Sequence, residues 1–273
     1  MEPLLRVEGL SMGFGGVRAL DGVSFSAQAG AITAMIGPNG AGKTTAINCI
    51  GGAYRPQAGR VFFAGADVTG LASHRLARLG LTRTFQNLQV FAHLSVLENV
   101  MVGLHAVTRQ GFAAAILRLP AMRAEERAIH DRAMETLEAL DLARVAHRPA
   151  GQLSYGDRKR LELARALAAR PRLVLLDEPV AGLNASETEA MGRALLAARG
   201  DGVGLVLVEH DMALVMKISD QVVVLSFGQK IAQGDPHQVQ NDPQVLSTYL
   251  GGRDEPLNGG NGHGGQDRRA AHA

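Results

Sequence analysis

The 273-residue sequence predicts an α/β fold: a core of parallel strands with a mostly helical insertion near its middle. Three observations predict it. LVLL (173–176), LVLV (205–208) and VVVLS (222–226) are short, continuous apolar runs, the pattern of strands covered on both faces of a parallel sheet. The Gly-rich stretch GPNGAGK lies between the apolar run AITAMI and the segment TTAINCI, so a strand gives way to a helix there. AMRAEERAIHDRAMETLEALDL (121–142) places Ile129, Ala133, Met134, Leu137, Leu140 and Leu142 largely on one helical stripe, with Glu and Arg opposite.

Taken in order, residues 4 to 36 read as β-rich, with LLRVEGL, VSFSA and AITAMI separated by Gly-containing turns. TTAINCI has the length of a short helix that Gly51 and Gly52 are placed to close. VFFAG and DVTGL suggest further short strands. From about residue 94 the character becomes helical, and strands return at 173. The stretch 253–273, RDEPLNGGNGHGGQDRRAAHA, is polar and Gly-rich and reads as a disordered tail. The boundaries are a single domain over 1–252, a helical subdomain inserted at about 87–165, and the tail.

Composition narrows the class. Apolar residues make up 46% and charged residues 20%, a balance that supports a packed core. No apolar stretch has membrane-spanning length, and MEPLLRVEGL lacks the basic-then-apolar order of a signal peptide, so the expected location is the cytoplasm. Cys49 is the one cysteine, which rules out an internal disulfide. A net charge of +2 is too small to argue for nucleic acid as the main partner.

Gly37, Gly42, Lys43 and Thr44 match G-x-x-x-x-G-K-[ST], with a strand before and a helix after. The chemistry explains the composition. Polyphosphate is densely charged, and backbone N–H groups can surround it only where no side chain intervenes. The N-terminus of the next helix adds a favourable dipole. Lys43 is placed for the β- and γ-phosphates and the Thr44 hydroxyl for Mg²⁺. LVLLDEP (173–179) supplies an apolar strand ending in two acids: Asp177 as the Mg²⁺ carboxylate opposite the loop, and Glu178 to orient or deprotonate a water.

The order of pieces resembles the ATP-binding-cassette (ABC) ATPases: Walker A at 37–44, a glutamine loop in TFQN, a signature LSYGD, Walker B in LVLLDEP and a histidine in VEHD. The resemblance covers roughly residues 4 to 250. It implies the P-loop ABC core, a mostly parallel sheet plus an N-terminal antiparallel β subdomain, with the helical subdomain inserted. It implies ATP bound along Gly37, Pro38, Asn39, Gly40, Ala41, Gly42, Lys43, Thr44 and Thr45, with Mg²⁺ at Thr44, Gln86 and Asp177. Glu178 would act on the attacking water, His210 would contact the γ-phosphate, and Gln86 would contact Mg²⁺ or that water and couple the site to the helical insertion. Subunits of the family pair head to tail, so Ser154 and Gly156 would close over ATP held by another chain. Ser154 also fits a helix N-cap, with Asp157 completing an S-x-x-D box. Phe14 sits where the family often stacks an aromatic on adenine; packing under the first strands or an exposed turn are the competing readings.

SMGFGGVRALDGVSF, LTRTFQNLQVFAHLSVLENVMVG, LSYGDRKRLELARAL, DEPVAGLN and LVLVEHDMALVM resemble the larger ATPase of branched-chain amino-acid importers of the leucine/isoleucine/valine type. The helical segment around 104–128 is similar too; its run GFAAAILRLP could pack within the insertion or lean on a membrane partner. Implied partners are a second cassette, identical or homologous, membrane permease subunits and, indirectly, a periplasmic binding protein. The implied location is the cytoplasmic face of the inner membrane. A related importer for urea, amides or aromatic acids is the alternative. ABC ATPases of DNA maintenance usually carry long coiled-coil or zinc-binding insertions, and the interval from Lys43 to Ser154 is too short for such a coil. Asp157 stands where Gln is usual, and its charge is expected to weaken ATP-driven closure.

Overall fold

In the computed structural model, residues 2–84, 90–105 and 120–250 are described. The first sheet has four strands in the order β2-β1-β4-β5. β1 (Leu5–Phe14) turns over Gly15 and Gly16 into β2 (Val17–Ala27), and the two pair antiparallel with Leu5 opposite Ala27 and Phe14 opposite Val17. Their inward residues Leu5, Val7, Leu10, Leu20, Val23 and Phe25 are buried. β4 (Ala58–Phe63) pairs antiparallel with β1. DVTGL was expected to be a strand, but only Ala66–Asp67 forms one (β5). The Asp67 carboxylate accepts from the Thr69 N–H at 2.9 Å, a side-chain turn that competes with the ladder.

The second sheet has six strands in the order β10-β9-β3-β8-β7-β6. These are β3 (Ile32–Ile36), β6 (Leu81–Arg83), β7 (Leu173–Asp177), β8 (Gly204–Val208), β9 (Gln221–Ser226) and β10 (Gln229–Gly234). All pair parallel except β10, which returns antiparallel on β9. The continuous apolar runs have the expected cause. In β8, Leu205 and Leu207 enter one core and Val206 and Val208 the other; in β7 the same alternation separates Val174 and Leu176 from Leu173 and Leu175. One face packs on helices and the other on the antiparallel sheet and α1 (Lys43–Ile50). Each such buried Leu or Val contributes roughly 1.5–3 kcal/mol.

The helical part contains α3 (Val96–His105), α4 (Pro120–Ala139) and α5 (Tyr155–Ala168). Ile129, Ala133, Leu137, Leu140 and Leu142 of the expected stripe are buried, and Met134 packs partly buried against them. The sequence reading did not place α2 (Ser73–Leu79), α6 (Ala185–Gly200), α7 (Met212–Ile218), β10, α8 (Pro236–Gln240) or α9 (Pro243–Leu250). α6 carries a start signal: the Asn184 side chain accepts from the Glu187 N–H while Glu187 reaches back to the Asn184 N–H. Among the described residues no helix is long and apolar enough to cross a membrane. The tail and residues 106–119, with most of GFAAAILRLP, lie outside the described residues.

This topology builds the site. β3, β8 and β7 are neighbours, so the segments leaving their carboxyl ends meet at one edge of the sheet.

Candidate active site

The loop from β3 to α1 needs glycine at two points for different reasons. A Cβ on Gly37 (φ 147°) would lie 2.0 Å from the Leu225 carbonyl oxygen; one on Gly42 (φ 99°) would lie 2.4 Å from that of Ala19. Gly42 caps α1 without any side-chain hydrogen bond, and the first turn carries no acid. The positive end of the helix is thus left for an anionic ligand. Lys43 folds along the loop, donating from Nζ to the carbonyl oxygens of Gly37 (2.8 Å) and Pro38 (2.9 Å). Burial pushes its ammonium below the ordinary lysine value, while Glu178 and Asp177 pull it back up.

Asp177 ends β7 almost fully buried. Its Oδ1 accepts from Thr44 Oγ1 at 3.4 Å. Its Oδ2 has no hydrogen-bond partner and lies 3.8 Å from Arg83 Nη2. Burial raises the Asp177 carboxyl above its ordinary value; Arg83 opposes this and Glu178 reinforces it. A hydroxyl beside a carboxylate with an unpaired oxygen suits magnesium, which takes one or two protein oxygens and fills its remaining positions with phosphate and water. The residues present therefore fit the ion.

Glu178 follows with φ 52°, a conformation rare for a residue with a side chain. Its N–H donates to the Val208 carbonyl (2.9 Å), and its own carbonyl accepts from the Ala181 N–H (3.2 Å) and Lys159 Nζ (3.3 Å). Its Oε1 lies 2.9 Å from His210 Nε2. Glu209, buried beside His210 in the chain, accepts from the Val180 N–H (2.9 Å) and the His210 N–H (3.0 Å). It thereby ties the turn after β7 to the turn after β8.

A cavity of about 330 Å³ opens over these groups, lined by Ala19, Asn39 to Thr45, Glu178 and His210. A larger one of about 560 Å³, between α4, α6 and the start of β8, holds none of them. Of the expected residues, Asn39 to Thr45, Glu178 and His210 thus converge, while Gly37, Pro38 and Asp177 are not among the lining of the smaller cavity. Ser154 and Gly156 do not line this cavity. Ser154 caps α5, accepting from the Asp157 N–H at 3.0 Å. The expected box is only half formed, because the Asp157 carboxylate pairs with Arg160 rather than turning back to Ser154. Phe14 lies outside the cavity, half exposed and edge-on to Tyr54 with ring centroids 5.4 Å apart. Gln86 lies outside the described residues. The sequence reading missed Arg83, Lys159 and Glu209. Only Glu209 had a signal, its place beside His210 at the end of an apolar run.

A glycine loop running from a parallel strand into a helix, faced by an Asp–Glu pair at the carboxyl end of β7, one strand removed across β8, defines a P-loop nucleotide-binding protein. Its particular family follows from comparison with known proteins. The model of the ABC transporter family matches residues 20–181, and that of the branched-chain amino acid ATP-binding cassette transporter matches residues 229–255. The chain is 43% identical over 250 residues to the high-affinity branched-chain amino acid transport ATP-binding protein BraF of Pseudomonas aeruginosa, covering 91% of this chain and 98% of that protein. To the corresponding protein LivG of Escherichia coli K12 it is 40% identical over 251 residues, covering 92% and 98%. A crystal structure of an ABC transporter's ATP-binding cassette in its ADP conformation superposes with a TM-score of 0.80 at 33% identity, covering 92% of this chain and all of the other. The chain belongs to the ABC transporter family of ATP-binding proteins.

Proposed function

We propose that the chain is the ATP-hydrolysing subunit of an importer for branched-chain amino acids. The observation that carries the reading is the Glu178–His210 pair standing on the wall of the phosphate-loop cavity. The cargo comes from relatives named for branched-chain amino acid transport over nearly their whole length.

The residues divide the work. Amides of 39–45 and Lys43 hold the triphosphate; Glu178 accepts the proton of the attacking water on its carboxylate; His210 holds that carboxylate in place. Thr44 and Asp177, with Gln86, would hold magnesium, which would neutralise charge on the phosphates when bound. A second cassette, identical or homologous, seals the site with its own Ser154–Gly156 helix tip or the equivalent, and this chain's tip seals the partner's. Closure and reopening reach separate permease subunits through the helical insertion, so the chain sits peripherally on the cytoplasmic face of the inner membrane. A periplasmic binding protein delivers cargo to those permeases. Tighter ATP binding in the closed pair than in the open one is what drives the cycle.

The test is uptake into vesicles carrying the permease subunits and this chain, with ATP enclosed. Leucine or isoleucine should accumulate and the Glu178→Gln complex should not transport. Accumulation of urea or an aromatic acid with none of leucine would overturn the cargo; failure to hydrolyse ATP would overturn the activity.

A further inference from the structure

Lys159 is a buried lysine on the second turn of α5, and no ion pair joins it to a carboxylate among the described residues. Taking an ammonium out of water is costly unless a specific interaction compensates. The contacts it makes are a hydrogen bond to the Glu178 carbonyl at 3.3 Å and a position 5.9 Å over the ring of Tyr155. We propose that Lys159 is a positioning residue for Glu178, coupling the tip of α5 to the hydrolytic carboxylate of the same chain.

Three contacts fix the Glu178 backbone at φ 52°. Two come from the strand edge and its own turn, the Val208 carbonyl and the Ala181 N–H. The third, from Lys159, is the one contributed by a different layer of the fold. The Tyr155 ring stands over the far end of the same turn, so close that a Cβ on Gly182 would lie 3.2 Å from it. The turn 178–182 therefore takes a hydrogen bond from Lys159 at one end and lies beside the Tyr155 ring at the other, both residues within the first two turns of α5. That helix tip also carries Ser154 and Gly156, the groups assigned above to the nucleotide of the second cassette. Seating α5 on the neighbouring nucleotide thus sets the backbone that aims Glu178 at this chain's own. The inference rests on the proposed ATPase reading.

The experiment uses the full chain assembled with its second cassette and permease subunits, comparing wild type, Lys159→Met and Lys159→Arg. Phosphate release gives kcat and KM for ATP, and a non-hydrolysable ATP analogue counts competent sites, so that loss of folded protein does not pass for loss of kcat. Lys159→Met should lower kcat per competent site by about 10- to 100-fold, the scale of a small misalignment, with KM within about two-fold because the phosphate loop is untouched. Lys159→Arg, which keeps the donor, should recover most of the rate. Full activity in Lys159→Met, an equal loss in Lys159→Arg, or a loss confined to KM would overturn the proposal while leaving the ATPase reading intact. A wild-type complex that hydrolyses no ATP would overturn both.

Discussion

His210 Nε2 lies 2.9 Å from Glu178 Oε1, joining the segments that leave β8 and β7. With Glu178 as a carboxylate, Nε2 carries the ring proton and donates it, which leaves the second carboxylate oxygen for a water. Glu178→Gln is therefore expected to cut hydrolysis by about 100-fold or more while ATP still binds. His210→Ala should cost about 10- to 100-fold in kcat, because the carboxylate remains but loses its orienting donor. Phosphate release and retention of labelled ATP separate the two outcomes.

Two glycines of the loop should behave differently on gaining a methyl group. At Gly40 (φ 79°) nothing lies within 4 Å of an added Cβ, so Gly40→Ala meets only the backbone penalty of about 1–2 kcal/mol. At Gly42 the Cβ meets the Ala19 carbonyl at 2.4 Å and Leu20 Cδ2 at 2.9 Å. Gly42→Ala should add backbone displacement, reach about 3 kcal/mol or more, and abolish nucleotide binding. Urea midpoints and fluorescent-nucleotide titrations of both variants check the contrast.

The sequence was most legible where chemistry and burial coincide. The strands β3, β7, β8 and β9 announced themselves because both faces are covered, leaving no polar alternation to dilute the run. The loop and the Asp177–Glu178 pair were legible because phosphate and magnesium accept few residue types. β10 was not legible, since its residues QKIAQG are mostly half exposed and carry no apolar period. Lys159 and Arg83 were missed for a different reason. Their partners are a carbonyl 19 residues away and a carboxylate on a neighbouring strand, and local pattern records neither.

Glu209 links stability to pH. Burial holds its carboxyl above the ordinary value, against backbone donors at Val180, His210 and Asp211 that pull it down. A raised value in the folded state means the native protein keeps the proton longer than the unfolded chain. The associated stability is complete below the unfolded value and is lost as pH rises through the folded one. Glu209→Gln removes that titration and presents an amide group to a backbone N–H, at a cost of about 1–3 kcal/mol. The stability gap between wild type and variant should narrow as pH rises above about 4, the unfolded glutamate value, read by denaturant unfolding across a pH series.

Asp157 tests how charge acts at the helix tip. Its carboxylate pairs with Arg160, whose Nη1 also donates to the Leu140 carbonyl at 3.1 Å. The negative charge at the signature is thus partly offset by a cation anchored at the end of α4. Against the phosphates of a nucleotide held by the other cassette, removing that carboxylate should still favour closure. Asp157→Gln is expected to lower the ATP concentration for half-maximal closure about 3- to 10-fold, the effect of one partly screened charge at such range. Arg160→Ala leaves the carboxylate uncompensated and should shift it the opposite way. The readout is crosslinking or light scattering of the assembled complex against ATP concentration. Shifts in the same direction for both variants would place their effect in the packing of α4 on α5, and an unchanged Asp157→Gln curve would remove charge at this position from the closing equilibrium.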